Sequence, residues 1–230
     1  MKLKYPKVAT LAATLITFVS LAGGANGAIV LTEINYNPPE AGTDRDEYVE
    51  IYNAGSSSID LTGYMFTFGF NFTFGSVSIA PSEAILVAAS VSDLRATDIT
   101  NKTATIPSQQ LFYNIPASTQ VFQWTSGGLS DGGENIALAD SLGTEIFKVR
   151  YDDNAAWAAI LADGGGYTLE VIDPQSQSGN FATSLDATNW RQSTAKAGSA
   201  GTAQLVPEPS SALLVGIVAL SFVARRRRTH

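Results

Sequence analysis

Cysteine is absent from this 230-residue sequence, and histidine occurs once, as His230. Without cysteine no disulfide can staple the fold, so its stability has to come from packing. With a single histidine at the last position, the rest of the chain can build neither a Ser-His-Asp nor a Cys-His catalytic arrangement, nor a histidine-containing zinc site. The catalytic route that remains open is a pair of carboxylates, of the kind that glycoside hydrolases use.

Basic residues are also scarce over most of the chain. Positions 28 to 206 contain 20 acidic and 7 basic residues, which gives this segment a net charge of −13. Such a surface repels phosphate backbones, so we do not expect a nucleic-acid partner. It does attract cations.

The N-terminal residues have the composition of an export signal. Three lysines in the first seven positions precede an uncharged apolar stretch over 8–21, and the small residues Ala25 and Gly27 stand before Ala28. This pattern predicts a signal peptide over 1–27, cleaved between Gly27 and Ala28. The alternative is an uncleaved N-terminal anchor.

The C-terminal residues contain an apolar segment that stops at a basic cluster. We expect a linker over 201–209, a transmembrane helix over 210–224 and a basic cytoplasmic tail over 225–230, because positive charge favours the cytoplasmic side. The cluster consists of Arg225, Arg226, Arg227 and Arg228. This topology anchors the protein in the inner membrane with its bulk facing the periplasm. The alternative is a buried C-terminal helix of a soluble domain.

The segment between the two termini has the pattern of a β protein. Short alternating stretches are separated by clusters of Gly, Asn, Ser and Asp, and about eight or nine such strands predict a sandwich or a barrel. The expected inward-facing residues are Ile34, Val49, Ile51, Phe147, Val149, Leu169 and Val171.

An aromatic residue occupies every second position from Tyr64 to Phe74. A single strand would line these rings along one face as a platform for stacking sugars. A hairpin that turns near 69–71 would instead direct the rings into the core. We favour the hairpin, because six exposed rings would form an aggregation-prone patch.

Two acidic loops are candidates for calcium, a hard cation that takes several oxygen ligands. The candidate ligands are Asp44, Asp46 and Glu47 in the first loop, and Asp152 and Asp153, near Trp157, in the second. Neither loop has EF-hand spacing. Solvated surface charge is the alternative, and we expect no other cofactor.

Several spaced motifs resemble those of the lamin-tail domain family. They are "VLTEINYNPPEAGTDRDEYVEIYNAGSSSIDLTGY" (30–64), "FTFGSVSIAPSEAILVAA" (72–89), "LSDGGENIALADSLGTEIFKVRYDD" (129–153), "ADGGGYTLEVIDP" (162–174) and "NWRQS" (189–193). The resemblance implies an all-β, immunoglobulin-like β-sandwich over 28–200. The sequence departs from the family pattern at 90–125 and at the closing "GSAGTA" (198–203).

The tail is similar to the PEP-CTERM sorting signal of Gram-negative bacteria that secrete exopolysaccharide. The similarity rests on Pro207, Glu208 and Pro209 standing before an apolar helix and an arginine cluster. It implies that an exosortase-type membrane protease acts at this motif and passes the protein to the cell surface or extracellular matrix.

Two hypotheses of function remain from these observations. In the first, a non-catalytic surface or biofilm-matrix protein binds other proteins or polysaccharide through its loops, with Phe112, Tyr113 and Phe122 available for contact. In the second, a carboxylate-based hydrolase acts on exopolysaccharide. A structureless insertion is the alternative interpretation of the region that contains these three aromatics.

Overall fold

A computed structural model of the chain describes residues 29–39, 45–98, 102, 111–157, 161–172 and 187–202. These residues form three β-sheets and very little helix, as the all-β prediction requires. The predicted signal peptide, sorting motif, transmembrane helix and arginine cluster lie outside the described residues, and so does Asp44. The predicted domain boundaries stay predictions.

The larger sheet has six strands in the order β13-β12-β1-β2-β7-β8. Neighbours are antiparallel except for β7 and β8, which run parallel. The strands are β1 (Ile29–Asn35), β2 (Tyr48–Asn53), β7 (Ala84–Ala88), β8 (Gln120–Gln123), β12 (Leu169–Val171) and β13 (Trp190–Gln192). The first strand of the chain therefore lies in the interior of the sheet.

The second sheet has five strands in the order β11-β10-β4-β5-β9, and two short strands pair separately. The five strands are β4 (Met65–Phe68), β5 (Phe70–Thr73), β9 (Ser126–Gly127), β10 (Asn135–Ala139) and β11 (Glu145–Arg150). The separate pair is β3 (Ile59–Asp60) with β6 (Ser78–Ile79). The helical elements are α1 (Val91–Leu94) and the 3₁₀ turns Ala155–Trp157 and Ala187–Asn189.

The main core lies between the two large sheets and draws apolar side chains from both. All seven residues that the alternation pattern directs inward are buried. Alternation succeeds here because successive side chains of a strand point to opposite faces, and one face of each strand meets the facing sheet.

The alternating aromatics form the hairpin β4–β5, which turns at Gly69 with a φ of +87°. Phe66, Phe70 and Phe74 are buried in the main core, so the hairpin interpretation is correct for these rings. Phe68 is an exception at 45% exposure, and the Lys148 ammonium lies 4.5 Å from the centre of its ring.

The outer face of the six-stranded sheet is covered as well. A second apolar cluster forms there between Tyr48 and Leu86 of the sheet and chain segments at 111–115 and 197–200. Tyr113 belongs to this cluster and is 5% exposed, and Phe122 is partly buried against the main core. Of the three aromatics proposed for ligand contact, Phe112 is exposed, Phe122 is half-buried and Tyr113 is buried, so that expectation is wrong for Tyr113.

Candidate functional site

Charged side chains form a row across the outer face of the six-stranded sheet. In the register of the strands, Glu33 of β1 stands opposite Glu50 of β2 on one side and opposite Glu170 of β12 on the other. Arg191 of β13 continues the row beside Glu170. Glu50 and Glu170 face outward because each stands between two core residues, whereas the register of β1 is interrupted between Leu31 and Glu33.

Glu33 is the most densely hydrogen-bonded member of the row and is 1% exposed. Its Oε1 accepts hydrogen bonds from the Tyr48 hydroxyl at 2.6 Å, the Thr168 hydroxyl at 2.6 Å and the Ser199 backbone N–H at 3.1 Å. Its Oε2 accepts from the Ser199 hydroxyl at 3.0 Å. Donors from three separate parts of the chain thus converge on one carboxylate.

Glu50 is fully buried beside it. Its Oε2 accepts a hydrogen bond from the Gly201 backbone N–H at 2.7 Å, and its Oε1 lies 2.6 Å from the Thr32 hydroxyl oxygen. The chain that covers both carboxyls is the segment 193–202, which we call the strap.

The burial of two neighbouring carboxyls has a large electrostatic effect. Loss of solvation raises the pKa of Glu33 to about 7, although the Thr168 and Tyr48 hydroxyls oppose the shift. Burial, followed by the nearby charge of Glu33, raises the pKa of Glu50 to about 8. Glu170, the third carboxyl of the row, accepts a hydrogen bond at Oε2 from Arg191 Nη2 at 3.2 Å. Near neutral pH the pair therefore retains protons that an exposed carboxyl would have lost.

The strap fits over the carboxyls at positions where its backbone needs glycine. Gly198 has a φ of +61°, and a Cβ there would lie 1.7 Å from Oε1 of Glu33 and 2.5 Å from the Thr168 hydroxyl oxygen. Gly201 has a φ of +76°, and a Cβ there would lie 2.7 Å from the Thr119 hydroxyl oxygen. The "GSAG" sequence thus has a steric reason, since only glycine lets the strap approach so closely.

The site is closed to a substrate in this conformation. Each oxygen of Glu33 and Glu50 already bonds to a group of the chain itself, and both side chains lie beneath the strap. A hydrolase needs one carboxyl to protonate the leaving group and a second to act as nucleophile or base, and both must reach the substrate. The two carboxyls instead hold the strap against the six-stranded sheet through their hydrogen bonds.

The first predicted calcium loop makes contacts within the protein. A carboxylate oxygen of Asp46, which is 1% exposed, accepts a hydrogen bond from the Lys102 ammonium, whose side chain is fully buried. Oε1 of Glu47 accepts from the Leu129 backbone N–H at 3.2 Å. Sequence analysis did not identify Lys102, because nothing in the local pattern around it signals a buried lysine.

The second predicted calcium loop lies at the surface. Asp152 Oδ1 accepts from the backbone N–H of Asn154 at 3.1 Å, and its Oδ2 lies 4.0 Å from the Arg150 guanidinium. Asp153 is exposed, and Trp157 is buried near Trp190. Among the residues with a described position, no three His, Cys, Asp or Glu side chains are grouped so that they could hold a metal ion.

These features define a class of protein, an all-β domain of two packed sheets whose outer carboxyl row is sealed by a C-terminal strap. The family model for the Lamin Tail Domain matches residues 23–153, which is more than half of the chain. The chain therefore belongs to the lamin tail domain family. The model for the PEP-CTERM protein-sorting motif matches residues 205–228. Both resemblances inferred from the sequence are confirmed.

Comparison with individual proteins adds little. No curated protein matches the sequence. The crystal structure of a DUF4876 family protein from Bacteroides thetaiotaomicron VPI-5482 aligns with 79% of this chain and 72% of its own, with 13% identity and a TM-score of 0.40. That similarity is too distant to inform function.

The sorting motif indicates in general terms how the protein is exported and processed. A PEP-CTERM protein is exported, sorted in association with the membrane and processed by an exosortase. Within the described parts of the chain, no helix has the length and apolar character needed to cross a membrane, and the predicted span at 210–224 falls outside them.

Proposed function

We propose that this protein is a non-catalytic binding module of the cell surface or biofilm matrix. In this proposal the mature chain starts at Ala28, the 210–224 helix holds it in the inner membrane, and an exosortase-type protease acts at Pro207-Glu208-Pro209. The observation that carries the proposal is the closure of the site. The carboxyl pair, which is the catalytic route left by a sequence without cysteine, lies under the strap and bonds to the chain itself.

Closure also limits where a partner can bind. One face of the six-stranded sheet packs on the main core and the other is covered by the second cluster, so the remaining surface consists of loops, edges and the outer face of the five-stranded sheet. Phe112 offers an exposed ring, with the Lys102 ammonium 5.9 Å from its centre. An aromatic ring at the surface suits stacking on a sugar or packing on a protein partner. Surface proteins and exopolysaccharide are therefore the proposed partners.

Sorting is tested in cells that express the full chain. We expect protease added outside spheroplasts to digest the domain. Replacing Arg225 to Arg228 with glutamine should impair sorting, and replacing Pro207, Glu208 and Pro209 with alanine should leave the unprocessed chain in the membrane. Arg150→Gln, an exposed arginine of β11, is the matched control and should sort normally. A domain that external protease does not reach would overturn the topology.

Binding is tested with the detergent-solubilised full chain against matrix polysaccharide and envelope proteins, with and without calcium. Phe112→Ala should weaken capture. Phe68→Ala, which removes an exposed ring on the other sheet, should leave capture unchanged. Turnover of a polymer that disappears in Glu33→Gln would replace this proposal with the hydrolase.

A further inference from the structure

The strap is held by polar contacts, which include hydrogen bonds to the two buried carboxyls and to Gly166, Thr168 and Thr119. Ala197 and Ala200 are its side chains in the second apolar cluster, and both are small. Its bonds to the sheet include the Ser199 N–H and hydroxyl to Glu33 and the Gly201 N–H to Glu50. A segment with little buried apolar area opens at a much lower free energy than the core strands do.

The contacts of Thr32 allow Glu50 to carry a proton. The Thr32 hydroxyl oxygen lies 3.2 Å from the backbone oxygen of Glu50 and 2.6 Å from its Oε1. A hydroxyl has one proton, so Thr32 can donate to one of these oxygens only. If Thr32 donates to the backbone oxygen, a protonated Glu50 donates to Thr32, and both contacts are satisfied. Glu33 accepts from four donors on its two oxygens, which suits it to be the ionised partner.

The charged neighbours of this pair are Glu170, Arg191 and Lys196. Glu170 stands beside Glu33 in the row, and its negative charge acts on both carboxyls. Arg191 bonds to Glu170, and the Tyr48 hydroxyl donates to Glu33. On the strap, Lys196 is exposed to solvent. On the other side of Glu50 the neighbour in register is Leu86, which is apolar.

We propose that the strap is a proton-controlled latch, which stays closed while Glu50 carries its proton and opens when Glu50 ionises beside Glu33. Two adjacent buried carboxylates are strongly destabilised by desolvation and mutual repulsion. Opening the strap admits water to both and leaves the ladder of the sheet intact. This opening is a smaller change than loss of any strand.

The latch would change the distance between the folded domain and the sorting motif. With the strap closed, the last described residue, Thr202, and Pro207 are separated by four residues, so the tether reaches at most about 17 Å. With the strap open, the tether begins after Gln192 and reaches at most about 50 Å. This inference adds control of tether length to the proposed sorting function. Its test below needs no exosortase, so the two can fail separately.

The test is hydrogen exchange measured by mass spectrometry on the full chain in detergent between pH 6 and pH 9. After correction for the intrinsic exchange rate, protection of the strap amides should fall at least tenfold with rising pH. The amides of β10 (Asn135–Ala139) should stay far better protected than the strap amides at every pH, which distinguishes local opening from global unfolding. Protection of the strap that stays constant in the native protein would overturn the latch.

Two variants test the role of the pair. Glu50→Gln keeps the shape of the side chain and its acceptor for Gly201, so the strap should stay protected at pH 9. Glu33→Gln removes only the repulsion from Glu33 and leaves the burial of Glu50 and the charge of Glu170, so the loss of strap protection should shift to higher pH, and this shift is the test if Glu50→Gln fails to fold. Glu145→Gln, at the exposed start of β11, should behave as the native protein does. A native pH dependence of protection in folded Glu50→Gln, or in Glu33→Gln, would refute the role of the pair.

Discussion

Replacement of Gly198 by alanine should destabilise the protein by about 4 kcal/mol. The left-handed backbone at this position, with a φ of +61°, costs an alanine about 1 kcal/mol. The new Cβ would also lie 1.7 Å from Oε1 of Glu33, an atom held by three hydrogen bonds. Because Glu33 cannot yield, the strap has to move and loses both hydrogen bonds from Ser199, each worth at least about 1.5 kcal/mol to a charged acceptor.

Gly143→Ala is the matched control for this prediction. Gly143 has a φ of +84°, and nothing lies within 4 Å of the position its Cβ would take, so the backbone cost of about 1 kcal/mol should stand alone. Urea denaturation of the full chain in non-ionic detergent, followed by tryptophan fluorescence, gives the difference from the shift in midpoint at constant m. If the two variants differ by less than about 1 kcal/mol, the strap does not bind as described.

Three further predictions use the same denaturation assay. Leu169→Ala should cost about 2–5 kcal/mol, because this core residue is fully buried, and Leu142→Ala, at 90% exposure, should cost almost nothing. Lys102→Met should cost about 3–5 kcal/mol, since it leaves the carboxylate of Asp46 buried without the ammonium, and an unchanged midpoint would show that the pair is unimportant. The third prediction concerns pH. Because the pKa of Glu50 is raised in the folded chain, the folded chain binds a proton more tightly than the unfolded chain does. The resulting stabilisation is complete below about pH 4.5 and is lost as pH rises through about 8. The loss should reach about 5 kcal/mol, and Glu50→Gln should flatten the profile, whereas an unaltered slope in that variant would contradict the assignment.

The inner faces of the strands could be predicted from sequence, and their outer faces could not. Val49 and Ile51 alternate with Tyr48 and Glu50, which correctly predicts which residues meet the facing sheet. The same alternation normally indicates a solvated outer face. Here Tyr48 and Glu50 are also buried, because residues from 111 onward and from 193 onward cover them. The sequence of β2 cannot indicate that its outer face is covered, because the covering segments come from distant parts of the chain.

The candidate site shows the same limit in its charges. Asp46 and Glu47 follow an arginine in an acidic loop and so resemble solvated or calcium-binding residues, yet the fold buries both. Glu33 and Glu50 lie 17 positions apart, and only the register of β1 on β2 places them side by side. Identifying that pair from sequence would have required the register of two strands and the path of the strap.

In the proposed topology, in which the chain crosses the membrane from its N-terminal end, the strap also imposes an order of events. The hydrogen bonds that seal Glu33 and Glu50 span 166 and 151 positions, so they join one of the first residues of the domain to one of the last. Contacts of such long range form slowly and late in folding. A partly translocated chain therefore keeps these carboxyls in water, and the domain reaches its final form only after residue 201 has emerged. Completion of the fold thus coincides with arrival of the sorting motif at the membrane.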